Sequence, residues 1–191
     1  IANDAGLYFP TVKSIQLKNN PGLRQLPSSF TQGNLIALES IDISYTMVVN
    51  FPYELATSRK LKEIRVTASP VSSALSWHNR GIKSMDLSQA FVEAFQSSLG
   101  NVNLSSNNMT EFPHQLCRFT ALATIDVSQN NIDSLHDYRG QCNALEDFEQ
   151  LRIIIARGNR IVELELGRHS SCVVPGRFLK VVAESNPLRE L

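Results

Sequence analysis

Cysteine and histidine, the side chains best suited to bind a metal or to act in nucleophilic catalysis, are few and widely spaced. The three cysteines are Cys117, Cys142 and Cys172, and no C-x-x-C pair occurs. The four histidines are equally scattered, at His78, His114, His136 and His169. There is no H-E-x-x-H spacing, no phosphate-binding glycine loop and no G-x-S-x-G elbow. The sequence therefore predicts no metal, no cofactor and no catalytic site.

Charge is balanced along the chain, with 18 Lys and Arg residues against 18 Asp and Glu residues. This balance argues against binding to nucleic acid or to an anionic membrane through bulk charge. An acidic run at Glu146, Asp147 and Glu149 is more typical of a solvated loop than of an acid–base site. No apolar stretch approaches the roughly 18 residues that a membrane span needs. The sequence therefore predicts neither nucleic-acid binding nor a membrane span.

The strongest feature is an internal repeat with the spacing L-x-x-L-x-L-x-x-N-x-L. The clearest copy is LGNVNLSSNNMTEFP at residues 99–113, and it returns at 122–135 and 151–164. Five weaker copies begin at Val12, Leu38, Leu61, Ile82 and Phe178. The alternating x-L-x-L-x part has the period of a short strand, with its two apolar side chains on one face. One such unit cannot bury that face alone, so consecutive copies are expected to stack.

Segments such as FPHQLCRFTALATIDVSQN resemble the LP-x-x-L form of the leucine-rich repeat, and the chain is similar to leucine-rich-repeat proteins over nearly its whole length. The resemblance implies an α/β, right-handed solenoid of about eight repeats, with a parallel β-sheet on its concave side. It implies a single domain over 1–191, with a lead-in at 1–11 and repeats over 12–191. These repeats are least regular around 70–98, and an insertion lies around 168–180.

The asparagine of each repeat is expected to be structural, because its amide can both donate to and accept from backbone groups inside the stack. This predicted ladder consists of Asn20, Asn107, Asn130, Asn159 and Asn186. The middle three are expected to be buried. Thr46 and Ser69 occupy the same position in two weaker copies and can supply one hydroxyl each, whereas Ala90 can supply nothing.

The outward strand positions predict a surface that contacts another protein or peptide. They are Asp42, Arg65, Asp86, Asn103, Asp126, Ser128, Ile153, Ile155 and Arg157. Adjacent outward isoleucines are unusual, so Ile153 and Ile155 are the predicted core of an interface, with Arg157 as a charged neighbour. Two alternatives stay open: the insertion covers both isoleucines, or the register is slipped. Tyr45 and Trp77 are secondary candidates for partner contact, but both lie near loops and are expected to pack against a neighbouring coil.

Cysteines and glycosylation sequons are the sequence features that could indicate the cellular compartment of the protein. Cys142 and Cys172 follow their asparagines at nearly equal distances, so stacking could bring them within reach of a disulfide, which would imply an oxidising environment. Alternatively, both are small buried apolar residues, and Cys117 is expected to be a structural thiol. Sequons occur at Asn103 and Asn108, but about two arise by chance in such a composition and give no support to secretion.

Together these features predict a ligand- or partner-binding segment of a larger receptor-like protein, such as a cell-surface receptor or receptor kinase, outside the cell. The alternative is an intracellular leucine-rich-repeat scaffold or regulator of signalling. Either way the chain itself is expected not to be an enzyme. It opens without Met or a leader-like segment and stops in mid-repeat, so it is expected to continue in a longer protein.

Overall fold

The computed structural model describes residues 8–31, 33–135, 148, 150–162 and 180–188. The insertion expected around 168–180 lies almost wholly outside these residues. The chain forms two compact units, each described by itself. The first contains residues 1–75 and 86–96, and the second contains 76–85 and 97–191.

The first unit contains three short parallel strands, β1 (Ser14–Gln16), β2 (Ser40–Asp42) and β3 (Glu63–Arg65), paired in that order. Their register aligns Ile15, Ile41 and Ile64, one apolar residue from each repeat. Helix α1 (Tyr53–Ala56) lies between β2 and β3, and a 3₁₀ helix (Pro70–Ser72) follows β3. The repeat spacing therefore set this register correctly.

Helix α2 (Gln89–Phe95) completes the first unit and supplies its aromatic core. The Ser88 hydroxyl accepts the N–H of Phe91 at 3.2 Å and so begins the helix. Phe51, Phe91 and Phe95 are fully buried, with Phe91 stacked on Phe95 at a ring-centroid distance of 4.4 Å. Phe51 lies 5.7 Å from Phe91 and 5.9 Å from Phe95. The short helix is therefore held by its buried face rather than by its length.

The predicted repeat that begins at Ile82 is wrong in register. No strand runs through Asp86, and Ala90 lies inside α2. The strand of this region is β4 (Ala74–Ser76), and the Trp77 N–H that follows it donates to Asn103 O at 2.8 Å. Apolar spacings of three and five residues fit both a strand repeat and the entry to a helix, and the Ser88 cap favours the helix.

The second unit contains four parallel strands in the order β5 (Asn101–Asn103), β6 (Thr124–Asp126), β7 (Ile153–Ile155) and β8 (Lys180–Val182). The register aligns the central residues Val102, Ile125, Ile154 and Val181. A 3₁₀ helix (His114–Arg118) returns the chain between β5 and β6. The α/β class and the parallel sheets of the predicted leucine-rich-repeat fold are thereby confirmed.

Each turn after a strand contains one residue in the left-handed conformation, directly before the asparagine position. These residues are Asn19, Tyr45, Ala68, Asn79, Ser106, Gln129, Gly158 and Ser185. Six of them, all except Ala68 and Ser185, have an N–H group that hydrogen-bonds to the next coil: that of Gln129 donates to Arg157 O at 2.7 Å. Asn79 marks Arg80 as the asparagine position of the β4 coil, in agreement with the corrected register.

The helices of the described residues are all short, the longest α-helix being α2 with 7 residues. Within those ranges, no helix combines the length and apolarity needed to cross a lipid bilayer.

Candidate functional site

The asparagine ladder holds the strands of the second unit at fixed spacing. The Asn130 amide donates to Leu104 O at 3.0 Å and Val127 O at 2.9 Å, and its oxygen accepts the Met109 N–H at 3.0 Å. Each such side chain therefore joins its own turn to the preceding coil. Asn107 and Asn159 make the same contacts, and the exposed fractions of Asn107, Asn130 and Asn159 are 4%, 6% and 7%.

The two ends of the ladder are less enclosed. Asn186 is half-buried and still reaches the preceding coil, where it donates to Ala156 O at 2.8 Å. Asn20 is exposed and bonds only to Leu17 O and Lys18 O of its own turn.

In the first unit the hydroxyls of Thr46 and Ser69 replace the amides. Both donate to Ile43 O, at 2.7 Å and 2.6 Å, and the two hydroxyl oxygens lie 3.0 Å apart. In this unit two hydroxyls therefore bond to a backbone carbonyl group of the turn, a task that asparagine amides perform in the second unit.

The polar outward positions are largely occupied by the protein's own turns. Asp42 accepts the Ser44 N–H at 2.9 Å, and Asp126 likewise accepts the Ser128 N–H at 2.9 Å. Asn103 accepts the Ser105 N–H in the same way. These side chains therefore fix the backbone conformation at the end of each strand.

Several predicted contact residues have little side chain free for a partner. Asp42 is 4% exposed and Ser128 9% exposed, so both offer little surface. Arg65 is exposed and pairs with Glu63 at 2.6 Å. Asp86, which lies on no strand, pairs instead with Arg59 at 2.9 Å. The polar part of the predicted surface is therefore weaker than the sequence suggests.

Ile153 and Ile155 are half-exposed on the outward face of β7, while Ile154 between them is fully buried. The slipped-register alternative is thereby excluded. Ile155 lies beside Asp126 on one side and Val182 on the other. Val182 is half-exposed and was missed, although the outward position of the copy that begins at Phe178 could have identified it. Ile153, Ile155 and Val182 form what we call the isoleucine patch.

Charged side chains border the isoleucine patch at both ends. At one end the Arg157 Nε lies 2.8 Å from the Glu184 carboxylate, in a pair exposed to solvent. At the other end Lys180 and Arg152 are exposed, and neither has an ion-pair partner in the described ranges. The Lys180 N–H donates to Arg152 O at 2.8 Å, so the backbones of these two residues are adjacent.

One histidine contacts a serine hydroxyl near the start of the same sheet. His78 Nδ1 lies 2.9 Å from Ser105 Oγ, but that hydroxyl donates to Asn103 Oδ1 at 2.6 Å. Activation of a serine nucleophile requires its hydroxyl proton to be directed at the histidine, and here that proton is directed at Asn103 instead. Across the described part of the chain, no three His, Cys, Asp or Glu residues are grouped to hold a metal ion.

The two sequon asparagines are unequal in accessibility. Asn103 is half-buried and its side-chain oxygen is engaged by Ser105, whereas Asn108 is exposed. Asn108 is therefore the better placed of the two to carry a glycan.

Among the described residues, two titratable groups have clearly shifted pKa values, both in the first unit. Burial, with a smaller effect of the nearby Asp86 and Glu54 charges, raises the pKa of Tyr53 to about 12. The hydrogen bond from Lys62 at 2.6 Å, then its charge and that of Lys13, hold the pKa of Glu39 below its usual value. Any stability gained from Glu39 is present above its unfolded pKa and is lost as the pH falls through the folded value.

Of three further residues with a predicted environment, one agrees with its prediction and two do not. Trp77 is buried, 1% exposed, as predicted, but Tyr45 is 56% exposed, contrary to the prediction that it packs against a coil. Cys117 is disulfide-bonded rather than a free thiol. Cys142 and Cys172 lie outside the described residues.

No family model and no curated protein sequence matches the chain. Among solved structures it is similar to the functional domain of InlJ from Listeria monocytogenes, with 17% identity and a TM-score of 0.43 over 96% of this chain. It is also similar to internalin C2 from Listeria monocytogenes, with 16% identity and a TM-score of 0.45 over 92% of this chain.

Human 5T4, also called trophoblast glycoprotein, is a third similar structure, with 18% identity and a TM-score of 0.44 over 93% of this chain. The chain spans 36% of the InlJ structure, 74% of internalin C2 and 71% of 5T4. All three are leucine-rich-repeat proteins. Independently of these similarities, the parallel strand register and the asparagine ladder of this chain fit a leucine-rich-repeat fold.

Proposed function

We propose that the chain is a protein-interaction module that binds another protein or peptide through the isoleucine patch. One observation carries this proposal: Ile153, Ile155 and Val182 take outward positions at which the preceding strands carry polar residues. Exposed apolar side chains cost solubility and are typical of interface cores. No catalytic step is part of the proposal.

The setting of the patch favours a partner with an apolar core and a charged rim. Arg157 is paired with Glu184 at one edge, and Arg152 and Lys180, which have no ion-pair partner among the described residues, lie at the other. Rim charges of this kind affect orientation and the rate of association more than affinity. The asparagine ladder beneath keeps the strands in place, so little ordering is required on binding.

Replacing Ile155 with aspartate is expected to weaken binding by at least about tenfold, because a charge would be buried at the interface core. Peptides enriched from a displayed random library on the wild-type chain provide the probe, and their affinities are measured by calorimetry. The matched control is Asn101→Asp at an exposed outward position of β5, two strands from the patch, which should change affinity about twofold or less. Equal binding to wild type and Ile155→Asp would contradict the proposal.

We further propose that the chain belongs to a larger receptor-like protein in an oxidising, extracellular or cell-surface location. The Cys117 disulfide supports this, because disulfides persist in such compartments. The intracellular scaffold is the second candidate, favoured by the odd number of cysteines, which leaves at least one thiol without a partner within this sequence.

Thiol alkylation distinguishes the two locations in protein isolated from its own source. Denatured but unreduced chain is expected to react at one cysteine, and reduced chain at all three. Mass spectrometry counts the adducts, and Cys117→Ser serves as control because it should raise the unreduced count to two. Three adducts without reductant would favour the intracellular alternative.

A further inference from the structure

We propose that the first unit has a second interaction surface, formed by Tyr45, Met47 and Val49, which we call the tyrosine strip. It fits an extended segment of another protein that presents apolar side chains beside a carboxylate. The strip is made of different residues from the isoleucine patch and does not depend on it.

The tyrosine strip is exposed and its backbone is fixed. Tyr45, Met47 and Val49 are 56%, 43% and 60% exposed, while Thr46 and Val48 between them are buried. The Tyr45 N–H donates to Thr67 O at 2.8 Å. On the other side, the Met47 N–H donates to Leu23 O at 2.8 Å. Neighbouring chain segments therefore hold the strip from both sides, and its three side chains project to solvent from a rigid base.

The fold does not require apolar residues at these positions. The equivalent exposed or half-exposed positions of two coils in the second unit are polar: Ser106, Asn108, Thr110, Gln129, Asn131 and Asp133. Tyr45 also has a φ of 56°, a left-handed conformation that asparagine or glycine adopts at lower cost. A strained, solvent-exposed tyrosine followed by two exposed apolar residues is explained by binding rather than by folding.

The positive charge around the tyrosine strip favours a partner segment with acidic residues. The three chain segments that meet here, residues 17–26, 43–50 and 66–73, contain two charged residues, Lys18 and Arg24. Both are exposed, and no ion pair satisfies either one in the described ranges. Arg24 is held beside the strip because its carbonyl accepts the Val49 N–H at 3.3 Å. The segment that fits is therefore apolar and acidic.

Selection from a displayed library of random peptides tests this pairing with the full chain. On wild type, peptides that combine apolar residues with Asp or Glu are expected to be enriched, and Val49→Asp should weaken their binding by about tenfold or more. The control is Ile36→Asp, which places a charge at another exposed isoleucine, 40% exposed, and should leave binding unchanged. Arg24→Glu should shift selection towards Lys and Arg. Selection without acidic preference, or unchanged by Val49→Asp, would overturn the proposal.

A stability measurement separates lost binding from lost folding. Tyr45→Gly removes the strip's aromatic ring and relieves its strained backbone, so the melting temperature should stay equal or rise while the selected peptides bind more weakly. Equal peptide binding by Tyr45→Gly would overturn the role given to Tyr45.

Two other occupants are tested directly. Sedimentation that shows a dimer disrupted by Val49→Asp would identify a second copy of this chain as the occupant. Binding to phosphatidylserine vesicles that is lost in Val49→Asp would identify a membrane. Either result overturns the proposal of an acidic peptide segment.

Discussion

Phe91→Ala is expected to lower the free energy of unfolding by about 4 kcal/mol, the largest effect of any substitution considered for this chain. Phe91 is fully buried, contacts the rings of both Phe51 and Phe95, and lies on α2, which has only 7 residues. A helix this short does not persist without its buried face. The substitution therefore removes apolar burial and ring packing and also loosens the helix itself.

Urea unfolding followed by circular dichroism measures the loss. Phe91→Leu is the matched control, because it keeps most of the apolar volume and should cost about 1–1.5 kcal/mol. Ala94→Ser on the same helix, at a half-buried position, should cost less than about 1 kcal/mol. If Phe91→Ala unfolded within about 1 kcal/mol of wild type, the aromatic cluster would not be the core of the first unit.

Asn130→Ala is expected to cost about 3 kcal/mol of unfolding free energy. Its amide satisfies Leu104 O and Val127 O, and its oxygen satisfies the Met109 N–H, in a position that is 6% exposed. Alanine leaves these backbone groups without partners, and each buried unsatisfied group costs about 1–3 kcal/mol. Entry of water or a small shift of the backbone should recover part of the total.

Asn20→Ala provides the comparison, since Asn20 bonds only within its own exposed turn and its removal should cost about 0.5 kcal/mol. Chemical denaturation of both variants under the same conditions gives the difference directly. Equal losses from Asn20→Ala and Asn130→Ala would show that the ladder contributes local turn bonds rather than bonds between coils.

The regular part of the fold was predictable because it depends on short-range spacing. A period-two pair of apolar residues sets which side chains of a strand are buried, and stacking repeats these choices in register. Ile15, Ile41 and Ile64 align in one sheet, and Val102, Ile125 and Ile154 align in the other, as the repeat spacing indicates. The asparagine position was predictable for the same reason, because the amide serves the backbone of its own turn and of the coil stacked beside it.

The segment from Ile82 to α2 was not predictable from spacing, because a strand repeat and the entry to a helix fit the same apolar positions. Ile82, Met85 and Leu87 match the strand frame, yet the chain there leads into α2, which buries Phe91 and Phe95 fully. Asp86 consequently lies off the sheets. Tertiary packing decided which of the two interpretations was correct.

For the candidate binding surfaces, the sequence by itself determined which residues of the regular strands point outward, although not at Asp86, because alternation along a strand depends only on backbone geometry. Ile153 and Ile155 are therefore outward, as predicted. Only the tertiary structure decided which outward side chains are available, since exposure depends on neighbours distant in the chain. It buried Asp42, placed Val182 beside Ile155 and left Tyr45 in solvent. It also bonded Cys117 in a disulfide, because a bridge depends on the distance between two cysteines in space rather than on their spacing in sequence.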